Sequence, residues 1–299
     1  MTAGWDDAKL RLMAMERIRH VTIIGVGLLG GSLGLAIKRR CGKVHVAGVG
    51  RRRSSLKQAL DIGAIDSAHL DARQAVAESD LVVLATPVGG FEGYLRIIAP
   101  LLKRGAIVTD VGSTKSQVVK IAGRILGAAG PFVASHPLAG SDKKGPQHAR
   151  ADLFQGATCI LTPTGQTPVL MLRRIERFWK TLGMRTVNMP PHLHDRVMAR
   201  VSHLPHAAAV ILMLLPGEGD LALSATGLRD MTRLASGDAE VWRDVLLTNR
   251  REMLSAIDRF DELLMRLRDL IDVGDGPGIH RLLQRAKNRR EGTIARLDQ

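Results

Sequence analysis

The chain is poor in aromatic residues, with three Trp, one Tyr and five Phe in 299 positions. That scarcity leaves the core to aliphatic packing and offers little on which nucleic-acid bases could stack. Cysteine is scarcer still. Cys41 and Cys159 are too few for a disulfide framework, which points to a reducing compartment. The longest strongly apolar run, AAAVILMLL at 207–215, is too short to span a bilayer, and the first twenty residues lack the apolar stretch of a signal peptide. Together these absences predict a soluble, cytoplasmic protein with no membrane partner.

Positive charge, by contrast, is in excess, at +14 net. The basic residues are spread along the chain, and the C-terminal tail LLQRAKNRREGTIARLDQ is basic. This distribution reads as an arginine-rich solvated surface, and no nucleic-acid partner is expected. The same field favours anionic small molecules.

With 45% hydrophobic residues, 299 positions suffice for one large or two ordinary domains. The first half alternates short apolar runs with helix-like stretches. The runs are VTIIG from Val21, VHVAG from Val44, LVVLATP from Leu81, AIVTDVG from Ala106, FVASHP from Phe132, ATCILTP from Ala157 and RTVNM from Arg185. They are rich in Val and Ile without strict alternation, as in strands buried on both faces of a parallel sheet. The pattern changes at MPPHLHD, 189–195, beyond which every segment has helical spacing, including one long helix over 239–271. The predicted fold class is therefore α/β: a Rossmann-type, doubly wound, mostly parallel sheet over 1–190, with a tail at 1–19, followed by an all-helical domain over 191–299.

VTIIGVGLLGGSLG carries Gly25-x-Gly27-x-x-Gly30 after a strand and at the opening of a helix. In that context Gly25 serves the tight turn, Gly27 lets a pyrophosphate approach, and Gly30 packs helix on strand. The helix start, at Leu28 and Leu29, offers free N–H groups to phosphate. No Asp or Glu lies between Gly30 and Asp61 to hold an adenosine ribose 2′-OH, and the second strand runs into Arg51, Arg52 and Arg53. That favours NADP over NAD as the cofactor.

Polar residues cluster at predicted strand ends, where open α/β sheets bind ligands. Thr86 and Pro87 end one strand, Ser113 follows another, and His136 ends a third, fixed by Pro137. His136 suits a base that takes a hydroxyl proton while hydride leaves for a nicotinamide, and Ser113 could orient it. In the helical half, HLHDRVMARVSHLPH holds His192, His194, Asp195, His203 and His206. The His203/His206 spacing resembles a metal site, but no Cys or acid partner has ligand spacing, so no metal is expected. Arg233, among apolar residues, needs a carboxylate partner, either Asp195 or Asp230 or one on a substrate. Trp242 reads as packing.

The order GVGLLGGSLG, DVGSTKS, SHPLAGSDKKG, ATCILTPT, LHDRVMARVSHLPHAAA and RDMTRLASGDAEVWRD resembles the prephenate/arogenate dehydrogenase family of tyrosine biosynthesis, from about Val21 to Ile271. The resemblance implies oxidative decarboxylation of prephenate or arogenate, with hydride passing to NAD or NADP. It implies that His136 is the base and that Ser113 bridges it to the nicotinamide. It makes Arg233 the grip on the ring carboxylate, with His206, His203, Ser141, Asp142 and Trp242 about the substrate and Asp195 and Asp230 orienting the arginine. Asp142 departs from relatives that carry a glutamate there. A homodimer built through the helical domain is also implied. The competing expectation is another reductase pairing a Rossmann domain with helices, acting on a different small hydroxy or keto acid.

Overall fold

The computed structural model describes residues 18–141 and 143–297. Five strands form a parallel sheet in the order β3-β2-β1-β4-β5. They are β1 (His20–Ile24), β2 (His45–Val49), β3 (Ser67–His69), β4 (Leu81–Leu84) and β5 (Ile107–Asp110). Between them run α1 (Leu28–Arg40), α2 (Arg53–Asp61), α3 (Arg73–Val76) and α4 (Phe91–Ile98), and α5 (Ser116–Leu126) follows β5. Helices cover both sheet faces, which is why the strands read as continuous apolar runs. Val21, Ile23, Leu81 and Val83 pack on one face with Leu33 and Ile37. Ile24, Val82 and Leu84 pack on the other with Phe91 and Leu95.

A second sheet contains β6 (Ser135–Pro137), β7 (Thr158–Leu161) and β8 (Arg185–Asn188), with β6 antiparallel to β7 and β7 parallel to β8. α6 (Val169–Thr181) links the last two strands. The FVASHP run begins alongside β5, where Val133 N–H donates to the Val108 carbonyl at 2.9 Å. It leaves that ladder at Ser135, whose N–H goes to the Asp110 carboxylate at 3.1 Å. His136 therefore sits mid-strand in the second sheet, opposite Ile160.

From Pro191 onward the described residues are helical. The segments are α7 (Pro191–Met198), a π turn (Ala199–His203), α8 (Leu204–Leu214), α9 (Glu218–Leu221), α10 (Thr226–Thr232), a 3₁₀ turn (Arg233–Ser236), α11 (Ala239–Thr248), α12 (Arg250–Asp272) and α13 (Gly276–Leu297). Pro205 has no N–H and its ring crowds the carbonyl four residues back, so the wider π turn just before it relieves a clash an α-helix would suffer.

The helical half departs from expectation in two details. The helical run Pro191–Leu214 has 24 residues, long and apolar enough to cross a membrane by length and composition, whereas the nine-residue run seen in the sequence fell short. Its inner face is occupied by His194, Asp195, His203 and His206, all buried. The single helix expected over 239–271 is broken at Asn249, whose backbone leaves the helical region (φ −110°, ψ 26°). Within the helical half, compactness draws a further division. Residues up to Arg250 form one unit and those from Arg251 a second. The helices of 191–250 pack on the sheet-bearing part, as α11 does on the turn Val88–Gly90. The second unit consists of α12 and α13, joined at Gly274 (φ +66°).

Candidate active site

The glycine turn forms as the motif requires. Gly25 takes φ +106° and donates its N–H to the Val49 carbonyl at 2.8 Å. A Cβ at Gly25 would stand 2.6 Å from the Ala85 carbonyl carbon, and one at Gly30 would stand 1.9 Å from the Gly25 oxygen. The chain is therefore closed on both sides of the turn, while Gly27, the cap of α1, faces open space. Leu28 and Leu29 form the first turn of α1, which holds no acid, so the positive end of the helix dipole is left for an anion. Beside Gly25 lies Thr86, whose buried Oγ1 has no hydrogen-bond partner among the described residues, followed by half-buried Pro87. Open approach, free helix N–H groups and an orphaned hydroxyl fit the phosphate portion of a dinucleotide. Arg51, Arg52 and Arg53 are exposed just past the end of β2, and none of them forms an ion pair among the described residues.

The ends of β5 and β6 are tied together by a buried ion pair. Lys115 is fully buried, bonds through Nζ to the Asp110 carboxylate, and donates to the Ser135 carbonyl at 2.8 Å. Asp110 also accepts from Gly112 N–H at 2.9 Å and Ser135 N–H at 3.1 Å. Burial raises the Asp110 carboxyl above its ordinary range against the pull of Lys115.

The start of α5 is capped from α7. Asp195 accepts from Lys115 N–H at 2.7 Å and Ser116 N–H at 2.8 Å, satisfying donors that a helix N-terminus leaves orphaned. Its Oδ1 also lies 2.8 Å from His194 Nδ1, and His194 Nε2 lies 2.8 Å from His136 Nδ1. Burial pushes Asp195 up, but hydrogen bonds from His194, Ser116 and Lys115 outweigh it and hold the carboxyl below the usual range. Burial, with His194, Lys115 and His203 adding, holds His136 well below the ordinary imidazole value. Burial lowers His194 as well, against the bond to Asp195.

A wall of rings stands on α8 and α11. His206 stacks on Trp242 at 3.4 Å between centroids and 10°, and His203 meets the same indole edge-on at 6.1 Å. Gly237 is required here, because a Cβ would lie 2.5 Å from Trp242 Nε1 and 2.6 Å from His206 Cε1. Asn249 Nδ2 donates to the Asp195 backbone carbonyl at 2.9 Å and to His203 Nδ1 at 3.1 Å. Burial drives His203 down to about 4, against a hydrogen bond to the Ser113 backbone. Burial lowers His206 also.

Some expected arrangements are absent. Nothing bonds half-buried Ser113 to His136 among the described residues, and the His136 partner is His194 instead. Among the described residues no ion pair joins Asp195 to Arg233; its oxygens meet Lys115, Ser116 and His194 instead. Asp230 and Arg233 are both exposed and, among the described residues, no ion pair joins them. Ser141 is exposed and accepts from Lys143 N–H at 3.0 Å. Asp142 lies outside the described residues. Among the described residues no group of three or more His, Cys, Asp and Glu side chains could hold a metal.

Sequence reasoning missed the roles of His194, Lys115, Asn249 and Asp244. The last is buried and accepts from Gly89 N–H at 3.1 Å and from Arg243, tying α11 to the turn after Pro87. The available signal was His194-Asp195, adjacent polar residues that open the mostly apolar helical run 191–214.

Residues 33–188 match the family model described as prephenate dehydrogenase, nucleotide-binding domain, and residues 190–285 match prephenate dehydrogenase, dimerization domain. The chain is 34% identical to a cyclohexadienyl dehydrogenase of Zymomonas mobilis, over 88% of this chain and 92% of that one. It is also 34% identical to a prephenate dehydrogenase of Bacillus subtilis, over 91% of this chain and 75% of that one. Among solved structures, prephenate dehydrogenase from Aquifex aeolicus in complex with hydroxyphenyl propionate and NAD⁺ superposes with a TM-score of 0.86 at 33% identity. That match covers 92% of this chain and 98% of the other.

Proposed function

The chain belongs to the prephenate dehydrogenase family, and on that premise we propose how its residues carry out the oxidative decarboxylation of prephenate. The nicotinamide supplies the hydride acceptor when bound. His136 takes the ring hydroxyl proton, the hydroxyl-bearing carbon loses hydride, and the ring carboxylate departs as CO₂. The electron pair of the broken C–C bond enters the ring, which becomes aromatic. The protein's work is to orient the reactants and accept one proton.

The observation that carries the base assignment is the state of His136. It is buried, its Nδ1 lies 2.8 Å from His194 Nε2, and burial holds its pKa below the ordinary imidazole value, so the resting ring is neutral. Arg233, exposed and without an ion pair among the described residues, is the proposed grip on the substrate carboxylate. The stacked His206–Trp242 pair, with His203 behind it, is the proposed wall of the substrate pocket. Ser113 and Ser141 are proposed to meet cofactor or substrate directly. Gly25, Gly27, Gly30 and Thr86 are proposed to hold the pyrophosphate side of the cofactor.

The preference proposed is for NADP. It rests on three exposed arginines at the end of β2 and on the lack of any acid between Gly30 and Asp61. The free thiols Cys41 and Cys159 support a cytoplasmic setting. A homodimer is proposed through the residues beyond 190. Ile211, Leu214 and Leu215, at and just past the end of α8, are 66%, 75% and 80% exposed, an apolar group of the kind a partner surface covers.

A two-by-two steady-state assay tests the reading: prephenate or arogenate, each with NAD or NADP, with CO₂ release followed. Turnover of prephenate with NADP outpacing NAD is expected. No turnover of either substrate would refute the function. Faster turnover with NAD would refute the cofactor preference alone.

A further inference from the structure

A neutral imidazole accepts a proton only at the ring nitrogen that carries none. In this chain a line of hydrogen bonds decides which nitrogen that is. Asp195 is held as a carboxylate by two backbone N–H donors, Lys115 at 2.7 Å and Ser116 at 2.8 Å. A carboxylate can only accept, so the 2.8 Å contact with His194 requires a proton on His194 Nδ1. Burial keeps His194 neutral, so its Nε2 is bare. That bare nitrogen lies 2.8 Å from His136 Nδ1, which must therefore be the donor. The unprotonated nitrogen of His136 is then Nε2.

We propose that His194 is a positioning residue: the line Asp195–His194–His136 holds His136 as the Nδ1–H tautomer and so makes Nε2 the nitrogen that takes the substrate proton. The inference rests on His136 being the base. All three side chains are buried, so water does not compete for their bonds. The edge-on packing of the two imidazoles, 5.1 Å between centroids and 64°, fixes the ring plane as well as the proton. Once His136 accepts the substrate proton, Nδ1–H still donates to His194, and the Asp195 charge lies one ring beyond. The positive charge nearest this line, on Lys115, is matched by Asp110.

Side-chain nitrogen NMR on ¹⁵N-histidine protein tests the assignment, with His136→Asn used to identify the His136 signals. The resting wild-type enzyme is expected to show His136 protonated at Nδ1 and bare at Nε2. His194→Leu is expected to lose that single tautomer and to lower kcat about 10²-fold, with KM for prephenate changed less than about threefold. This loss is smaller than the about 10⁴-fold that a fully wrong tautomer costs in serine-protease triads. His194→Gln, whose amide can accept from His136 and donate to Asp195, is expected to restore the tautomer and to recover kcat to within about tenfold of wild type. A wild-type His136 protonated at Nε2 would overturn the proposal. So would a His194→Leu enzyme with normal kcat, or a His194→Gln enzyme no better than the leucine variant. If the leucine variant does not fold, the wild-type spectrum decides. The tautomer is read in resting protein, so its outcome is separate from the turnover assay that tests the function.

Discussion

Acid should loosen this fold through His203, by an amount that can be worked out. The ring is fully buried, accepts from Asn249 at Nδ1, and has its pKa driven down to about 4. Protonating Nδ1 would set two donors against each other in a site that water does not reach. The unfolded histidine titrates near 6.5, so between 6.5 and 4 the unfolded chain holds a proton that the folded chain refuses. Stability is then present above pH 6.5 and is lost as the pH falls. At about 1.4 kcal/mol per pH unit, the whole interval is worth about 3 kcal/mol, of which about 2 kcal/mol is gone at pH 5. The assay is urea unfolding at pH 7.5 and pH 5.0 on the wild type and on His203→Gln, which keeps an acceptor for Asn249 and cannot be protonated in this range. The loss of stability between the two pH values should be smaller in the variant by about 2 kcal/mol. Shifts in Asp110 and the other histidines are common to both proteins and drop out of the difference. An equal loss in both proteins would refute a buried neutral His203.

His136→Asn should keep dinucleotide affinity, measured by fluorescence titration, while kcat falls about 10²–10⁴-fold, the range for removal of a general base; near-normal turnover would reject the base. Arg51→Ala combined with Arg52→Ala should raise KM for NADP far more than for NAD, and equal losses would mean that these arginines touch only what the two cofactors share. Arg233→Gln should lower kcat/KM for prephenate through KM, and an unchanged kcat/KM would dismiss the carboxylate grip. Gly237→Ala drives a methyl into the His206–Trp242 stack and should cost about 1–3 kcal/mol in urea unfolding and weaken substrate binding, whereas wild-type behaviour on both counts would show that the stack yields easily.

The sheet was readable in the sequence because burial on both faces writes itself into consecutive residues. VTIIG and LVVL need no partner to be recognised, since each strand meets a helix layer above and below. The glycine turn was readable for a similar reason, because Gly25 and Gly30 answer to backbone atoms within a few residues or on the next strand. Asn249 shows where such reading ends. The helical spacing of 239–271 runs straight through it, and only its bonds to Asp195 and His203, 54 and 46 positions away, explain the break. Lys115 is the same case. In DVGSTKS it passes for a solvated lysine, yet it is wholly buried because Asp110 and the Ser135 carbonyl receive its charge.

Asp195 decides what kind of information the candidate site holds. Its residue type suggested a carboxylate waiting for an arginine, and Arg233 was the arginine at hand. The structure satisfies that carboxylate with two backbone N–H groups at the start of α5 and one imidazole, and leaves Arg233 exposed. A carboxylate that caps a helix next to β5 while gripping a histidine on its own helix couples the strand ends to α7. The two bonded histidines therefore come from different elements, His136 from β6 and His194 from α7, joined by one 2.8 Å bond. Sequence can supply each residue of such a pair. The pairing itself depends on where Pro190 and Pro191 start α7 relative to the end of β5, a tertiary distance that no local pattern encodes. This is why the proposed base could be picked out from its place on a strand while the histidine bonded to it could not.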